Sequence, residues 1–145
     1  MMQACRKNHM SRTVTGFLLM IFASAAVAVV GVTITPIGGF TITPGVAVVN
    51  QPIATITLNA DQNYSVSLAD NNNGQLKNGS NAIAYTVKYN NGSEITLSTT
   101  PTTVETGASV VNGNRSLSCF IGAAAGVGVP AGTYTATVTV EILAI

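Results

Sequence analysis

The closing segment, "VPAGTYTATVTVEILAI", constrains the fold most, because it alternates strictly between apolar and polar residues after Pro130. One face carries Tyr134, Ala136, Val138, Val140, Ile142 and Ala144, and the other carries Thr133, Thr135, Thr137, Thr139 and Glu141, with Leu143 and Ile145 on this otherwise polar face. A period of two predicts a half-buried β-strand. No turn or return strand follows, and a bare apolar edge promotes aggregation. We therefore expect something else to cover this strand.

The rest of the chain is also typical of an all-β domain. Gly, Pro or Asn-Gly interrupts the sequence about every ten residues, as in sandwiches and barrels. The pattern predicts strands at Val30–Thr35, Phe40–Thr43, Ile53–Leu58, Tyr64–Leu68, Ile83–Tyr89, Ile95–Leu97, Ser116–Ile121 and Gly132–Ile145. No segment has the length and period of a long helix.

Four Asn-Gly pairs are hairpin signals, because both residues tolerate a positive φ. They are Asn73-Gly74, Asn78-Gly79, Asn91-Gly92 and Asn112-Gly113. The pair in "YNNGSEI" is flanked by two predicted strands and is the best of them. The stretch "ADNNNGQLKNGSN" is expected to be a longer polar loop.

Residues 1–28 are interpreted as a secretory signal peptide. A basic start with Arg6, Lys7 and Arg12 precedes the uncharged run "FLLMIFASAAVA". This run is too short to span a bilayer as a helix. It ends in small residues that fit an A-x-A cleavage pattern, at Ala26-Val27-Ala28 or at Ala23-Ser24-Ala25. We expect a secreted chain with no membrane span after cleavage.

The charge of the chain argues against nucleic acid as a partner. From Val29 onward the chain has three basic residues, Lys77, Lys88 and Arg115, and five acidic residues, which gives a net charge of −2. Such a surface offers no basic patch for nucleic acid. The acidic residues Asp61, Asp70, Glu94 and Glu105 lie in polar contexts and are interpreted as solvated surface charges.

The residues that usually carry catalysis are sparse. After residue 28 the chain has no His and no Trp, so a serine or cysteine nucleophile would lack its usual base. No Cys/His cluster could hold zinc, and no cofactor-binding fingerprint is present. Cys119 shares a strand face with Leu117 and Ile121 and is interpreted as a core residue, with an intermolecular disulfide as the alternative. We expect a protein that is not an enzyme.

The four tyrosines of the domain allow two interpretations. Tyr64, Tyr85, Tyr89 and Tyr134 could form a platform on which a sugar stacks. Each shares a strand face with Val, Leu or Ile, which favours packing in the core instead.

Several segments together resemble a known family. They are the signal peptide, "NYSVSLADNNNGQL", "IAYTVKYNNG" and the closing "VPAGTYTATVTVEILAI", in this order. The sequence is similar to the spore coat protein U / archaic chaperone–usher pilin group of secreted bacterial fimbrial subunits. The resemblance implies an immunoglobulin-like Greek-key β-sandwich that lacks its last strand. A donor strand from a neighbouring subunit would complete it, as in strand addition at a sheet edge.

The resemblance also implies partners, a location and site residues. The partners would be copies of the chain itself in a homopolymer, with a periplasmic chaperone and an outer-membrane usher in assembly. The product would be a cell-surface fimbria, reached through the periplasm, that supports adhesion or biofilm. The acceptor groove would lie along the last strand, with Tyr134, Val138, Val140 and Ile142 facing it.

The donor strand is expected at the start of the mature chain. In "VVGVTITP", Val30, Val32 and Ile34 point one way, and Gly38-Gly39 follows as a flexible joint. We assign residues 29–39 to a donor-strand extension and residues 40–145 to the sandwich domain. The alternative is that the segment is the chain's own first strand, hairpinned onto Phe40–Thr43. For function, the alternative is a soluble secreted binding module, an adhesin or a carbohydrate-binding β-sandwich.

Overall fold

The computed structural model describes residues 18–19, 30–108 and 111–145. Apart from Leu18 and Leu19, the predicted signal peptide, with its basic start and its cleavage sites, lies outside these residues. Eleven strands are described: β1 (Leu18–Leu19), β2 (Val30–Pro36), β3 (Val48–Ala60), β4 (Tyr64–Asp70), β5 (Gln75–Asn78), β6 (Asn81–Ala84), β7 (Thr86–Tyr89), β8 (Glu94–Ile95), β9 (Thr102–Gly107), β10 (Val111–Ile121) and β11 (Thr137–Ala144). A short 3₁₀ helix spans Ala123–Gly126.

The strands form two main sheets and one small hairpin. The first sheet has the order β1-β11-β4-β9, the second has the order β2-β3-β10-β7-β8, and β5 pairs with β6. One continuous cluster of buried side chains joins the sheets, with Val66, Leu68 and Val140 from the first and Ile56 and Leu117 from the second. Strands make up 59% of the residues that the structure describes. The predicted all-β sandwich is therefore confirmed.

The alternating pattern decides which side chains reach this core. On β3 the side chains of Ala54, Ile56 and Leu58 are buried, while Thr55 and Thr57 between them are only partly buried. β4 follows the same rule less strictly, because Ser67 is also nearly buried. Successive side chains of a strand point to opposite faces of the sheet, so only every second side chain is buried against the other sheet.

Three of the predicted strands differ substantially from the structure. The predicted strand Gly132–Ile145 begins only at Thr137, because residues 132–136 contain no more than an isolated bridge from Thr135 to Lys77. Residues 40–43 form no strand and lead into a turn, in which Val46 N–H bonds to Thr43 O at 3.1 Å and Gly45 has φ +78°. Pro44 followed by a residue with positive φ is the sequence of a type II turn. The predicted strand Ile83–Tyr89 is broken at Tyr85 into β6 and β7. Sequence analysis also missed β5 and β9, which are polar strands.

The Asn-Gly hairpin signals are correct in two places and wrong in two. Gly79 lies in the two-residue turn between β5 and β6. Asn73 and Gly74 both have positive φ, but they lie between β4 and β5, which do not pair with each other. The β7–β8 hairpin turns at Asn90 and Asn91, both with positive φ, one residue earlier than expected. Asn112-Gly113 lies inside β10 instead, where it pairs with β3.

Candidate functional site: the free edge of the last strand

The two edges of β11 are unequal. On one side β11 pairs with β4 in an unbroken antiparallel ladder from Val138↔Asp70 to Ala144↔Tyr64. On the other side, among the residues that the structure describes, it meets only Leu18 and Leu19, which run parallel to Thr137 and Val138. From Thr139 onward this side of β11 has no strand partner in the described part of the chain. β11 is therefore largely an edge strand.

Odd-numbered and even-numbered residues of β11 point their backbone N–H and C=O groups to opposite sides of the strand. Thr137 N–H donates to Asn71 Oδ1 at 2.8 Å, and Thr137 O accepts from Asn71 N–H at 3.2 Å, so both groups of Thr137 point toward β4. Successive residues of a strand point their N–H and C=O groups to opposite sides. The groups of Val138, Val140 and Ile142 therefore point away from β4, those of Val138 toward β1 and those of Val140 and Ile142 to the free edge.

The same three residues point their side chains into the core. Val138 and Val140 are fully buried, Ile142 is nearly so, and Tyr134 and Ala136 just before the strand are buried as well. Tyr134 Oη donates to Pro130 O at 2.8 Å, which satisfies the one polar group of that side chain. The four residues predicted to line an acceptor groove thus share one face. Their role in accepting a neighbouring strand stays a prediction.

The predicted donor strand lies in the chain's own second sheet. Val30–Pro36 pairs antiparallel with β3, from Val30↔Ala60 to Pro36↔Ala54, and does not hairpin onto Phe40–Thr43. Val30, Val32 and Ile34 face the core but are only half-buried. β2 and β11 are edge strands of their sheets, apart from the short contact of β1 with β11. Transfer of β2 to a neighbouring subunit stays a prediction.

The start of β11 is held in place by a run of asparagines. Asn72 Nδ2 donates to Thr135 O at 3.3 Å, next to the Asn71–Thr137 pair. Asn73 Oδ1 accepts from Thr99 N–H at 3.1 Å. The run "DNNNG", which sequence analysis treated only as loop, therefore fastens β4 to β11 and to the segment before β9. Short polar side chains often bond backbone in this way.

Comparison with known families decides the class of this chain. The family model of the Spore Coat Protein U domain matches residues 20–141, which is most of the chain and includes β2 and most of β11. The chain belongs to the Spore Coat Protein U domain family. This family consists of chaperone–usher fimbrial subunits and is of structural pilin type. The match confirms the resemblance noted from the sequence. Searches of curated proteins and of solved structures gave no match.

This Spore Coat Protein U domain contains a polar cluster that joins its two sheets, which we call the Glu105 clamp. Glu105 on β9 accepts hydrogen bonds from Tyr64 Oη on β4 at 2.6 Å and from Tyr89 Oη on β7 at 2.7 Å. Arg115 on β10 donates from Nε and Nη2 to the two carboxylate oxygens, each at 2.7 Å. The clamp lies on the β9 side of the sandwich, away from the free edge of β11.

The clamp strongly favours one protonation state. The Arg115 guanidinium is the main cause that lowers the pKa of Glu105 to about 2, and the two tyrosine hydroxyls act in the same direction against the effect of burial. The pKa of Tyr64 is raised first by its hydrogen bond to Glu105, and that of Tyr89 first by burial. Bidentate Arg–carboxylate pairs are among the strongest hydrogen-bonded contacts in proteins. The interpretation of Glu105 as a solvated charge is therefore wrong.

Asp70 is a second acidic residue whose interpretation is corrected. Its side chain is buried, and its Oδ2 accepts from Gly74 N–H at 2.7 Å, which closes the turn after β4. The Tyr85 hydroxyl is nearby, and its pKa is raised first by burial and then by the negative charge of Asp70. The sequence held a signal for this burial, because Asp70 continues the period-two face of Tyr64, Val66 and Leu68 on β4.

The remaining candidate residues are placed as expected. Cys119 is a free, fully buried residue, and burial raises the pKa of its thiol to about 12. All four tyrosines are buried, which favours core packing over a sugar-stacking platform.

In the described residues no group of three or more His, Cys, Asp or Glu side chains is arranged to hold a metal ion. Nor do those residues include a helix with the length and apolar character needed to span a membrane.

An apolar groove of about 250 Å³ lies where β2 ends and β11 begins. Its walls are the segment 40–44, the β5–β6 hairpin and the segment 126–134 that leads to β11. Phe40 and Ile42 are half-buried and pack against the core. The residues predicted as the strand Phe40–Thr43 form one wall of this groove instead.

Proposed function

We propose that this chain is a structural subunit of a secreted surface fimbria, assembled by donor-strand complementation. The observation that carries the proposal is the free edge of β11, where the residues that point backbone groups outward also point side chains into the core. A strand added there gains ladder hydrogen bonds and contact with the core together. Membership of a family of fimbrial subunits supports the proposal.

The donor in this proposal is β2 of a neighbouring copy, with Val30, Val32 and Ile34 facing the core of the acceptor. These side chains are half-buried against β3. Completing the burial of three such residues is worth about 2–5 kcal/mol, roughly half the value for full burial from water. The ladder with β3 is lost and a ladder with β11 is gained, so the hydrogen bonds nearly cancel. Copies of the chain are the main partner, with a periplasmic chaperone and an outer-membrane usher in assembly.

The fimbria would lie on the cell surface after export through the periplasm and would support adhesion or biofilm. The family of secreted fimbrial subunits and the predicted signal peptide support this location. The soluble binding module remains an alternative, but the burial of all four tyrosines removes the stacking surface that a carbohydrate-binding sandwich would use.

A truncated chain tests the donor assignment. Without residues 29–37 the subunit should stay monomeric, and an added peptide "VVGVTITP" should bind it and raise its melting temperature. A peptide with Val32→Asp and Ile34→Asp is the matched control and should have no effect. Amide hydrogen exchange then locates the peptide, which should protect the amides of Val138, Val140 and Ile142.

Two outcomes would overturn the assignment. The first is formation of normal fibres by the truncated chain. The second is a peptide that protects the edge of β3 and leaves β11 unprotected, because this would show that β2 belongs to the body of the subunit. If the truncated chain does not fold alone, the full chain with Val32→Asp and Ile34→Asp replaces it and should accept the peptide without forming fibres.

A further inference from the structure

Exposed apolar side chains are concentrated at the two ends of the sandwich. We define the groove end by Pro36 and Thr137, where β2 ends and β11 begins, and the Asp61 end by Ala60 and Ala144, where β3 and β11 end. Among the described residues, the exposed large apolar side chains at the groove end are Ile37, Val46, Val49 and Val127, and those at the Asp61 end are Leu143 and Ile145. Val49 and Leu143 belong to strands, near the start of β3 and the end of β11.

The groove end has the shape of a receiving surface. Val46, Val49 and Val127 are 56% to 64% exposed, and Val46 and Val127 closely follow the groove residues Pro44 and Gly126 in the chain. A methyl group added at Gly126 would come within 3.6 Å of Ile42, so the segments on the two sides of the groove lie close together. An apolar patch of this kind on a folded surface usually marks a contact with another molecule.

The charges at the two ends are complementary. Lys77 is exposed on β5, on the opposite face of the hairpin from the groove residue Leu76, and its backbone pairs with Thr135 just before β11, so it lies at the groove end. Asp61 is exposed in the turn between β3 and β4, and the same turn holds Ile145 through a 3.0 Å bond from Ile145 N–H to Asn63 O. A basic residue thus lies at the groove end, and an acidic residue lies at the end that carries Leu143 and Ile145.

From these observations we infer a second contact between copies of the chain: the groove end of one subunit receives Leu143 and Ile145 of the next, with Lys77 facing Asp61 of that copy. The inference rests on the proposed fimbria and adds a contact between subunit bodies to the exchanged strand. Two different surfaces meet, so the contact is heterologous and repeats without closing, as a filament requires. The apolar side chains supply the attraction, and the charge pair selects the orientation.

Cysteine cross-linking tests this contact in the full chain. Two variants, Val127→Cys and Leu143→Cys, are mixed, assembled and oxidised, with native Cys119 unreactive because it is buried. The mixture should form reducible dimers that neither variant forms alone. A mixture of Thr57→Cys and Leu143→Cys is the matched control, because Thr57 lies on a sheet face. Fibres that form normally without cross-links above this control would overturn the inference and leave the proposed fimbria intact.

Exchange of the charges provides an independent measurement. Lys77→Glu and Asp61→Lys should each slow fibre elongation several-fold at low salt, and the double variant should restore the rate. Equal rates for all four chains would exclude the charge pair and with it the proposed orientation. If the unchanged chain forms no fibres and captures no donor peptide, the proposed function fails. In that case, specific cross-links between the Val127→Cys and Leu143→Cys variants would still support the contact between subunit bodies. Their absence would reject both this contact and the proposed function.

Discussion

Glu105 and Arg115 form a two-pronged ion pair between strands of different sheets, with both hydrogen bonds at 2.7 Å. The pair is partly shielded from water, with side-chain exposures of 16% and 19%. Tyr64 and Tyr89 complete the hydrogen bonds of the carboxylate. The two sheets are therefore joined by a directional contact on one side, while the side with the free edge of β11 depends on apolar packing.

Removal of the charge at this position should weaken the fold. We expect Glu105→Gln to lower the free energy of unfolding by about 1–3 kcal/mol, less than for a fully buried pair because both side chains retain some solvent contact. Glu94→Gln is the matched control, because Glu94 is exposed and only accepts a bond from Thr86 Oγ1. Urea denaturation measures both variants. Equal stability of the two would show that the clamp contributes nothing.

The clamp should also make stability depend on pH in the acidic range. The pKa of Glu105 falls from 4.5 to about 2 on folding, so the unfolded chain binds the proton more tightly. The stabilisation is complete above pH 4.5 and is lost as the pH falls toward 2. Denaturation curves at several pH values should show the difference between the unchanged chain and Glu105→Gln shrinking in this window. A constant difference would contradict the assignment.

A substitution at Gly107 should disturb the clamp without changing any of its members. A Cβ atom at Gly107 would overlap the ring of Tyr64, which pairs with it across β4 and β9. We expect Gly107→Ala to displace this ring, lengthen its bond to Glu105 and destabilise the chain by about 1–3 kcal/mol. Gly122→Ala serves as the control, because nothing lies within 4 Å of the added methyl group. Thermal unfolding of the two variants should differ clearly.

The two faces of β11 should respond differently to the same charge. Val140→Asp would place an unpaired carboxylate in the core, at a cost of about 3–5 kcal/mol, and should prevent accumulation of folded subunit. Thr139→Asp, one residue earlier on the outer face, should be tolerated. The yield of soluble, protease-resistant chain measures both. A similar loss for the two variants would show that the orientation of β11 is wrong.

The buried thiol of Cys119 should be inert in the folded chain. Burial raises its pKa to about 12 from 9.0, so very little thiolate is present at neutral pH. We expect alkylation of Cys119 to require unfolding, and we expect identical bands on gels with and without reductant. Cys119→Ser should cost about 1–3 kcal/mol by placing a hydroxyl in an apolar site. A dimer band that disappears with reductant would contradict the buried position.

Features set by local periodicity could be predicted from the sequence. The all-β class, the inward face of β11 and the burial of Cys119 follow from alternation of apolar and polar residues. The turn at Asn90 and Asn91 follows from the tolerance of asparagine for positive φ. The resemblance that named the family depended on the same segments.

Features set by distant partners could not be predicted in this way. Glu105 and Tyr64 are 41 residues apart, so the local sequence around either residue does not show their hydrogen bond. Only the folded structure shows that Arg115 reaches Glu105. β9 has too few apolar residues for its pattern to be recognised, and residues 40–43 alternate like a strand but turn at Pro44 and Gly45. β2 has the predicted extent, but its pairing with β3 could not be read from its own sequence.

The different positions of the even-numbered and odd-numbered residues of β11 determine which of them can be substituted freely. Val140 and Ile142 have side chains in the core and backbone groups at the free edge, so any change there affects folding and the proposed strand addition together. Thr137, Thr139 and Glu141 show their side chains on the outer face and use only their backbone to hold β4. Substitutions at these three positions would therefore alter the outer surface of the sheet while leaving unchanged the edge to which the proposed donor strand adds.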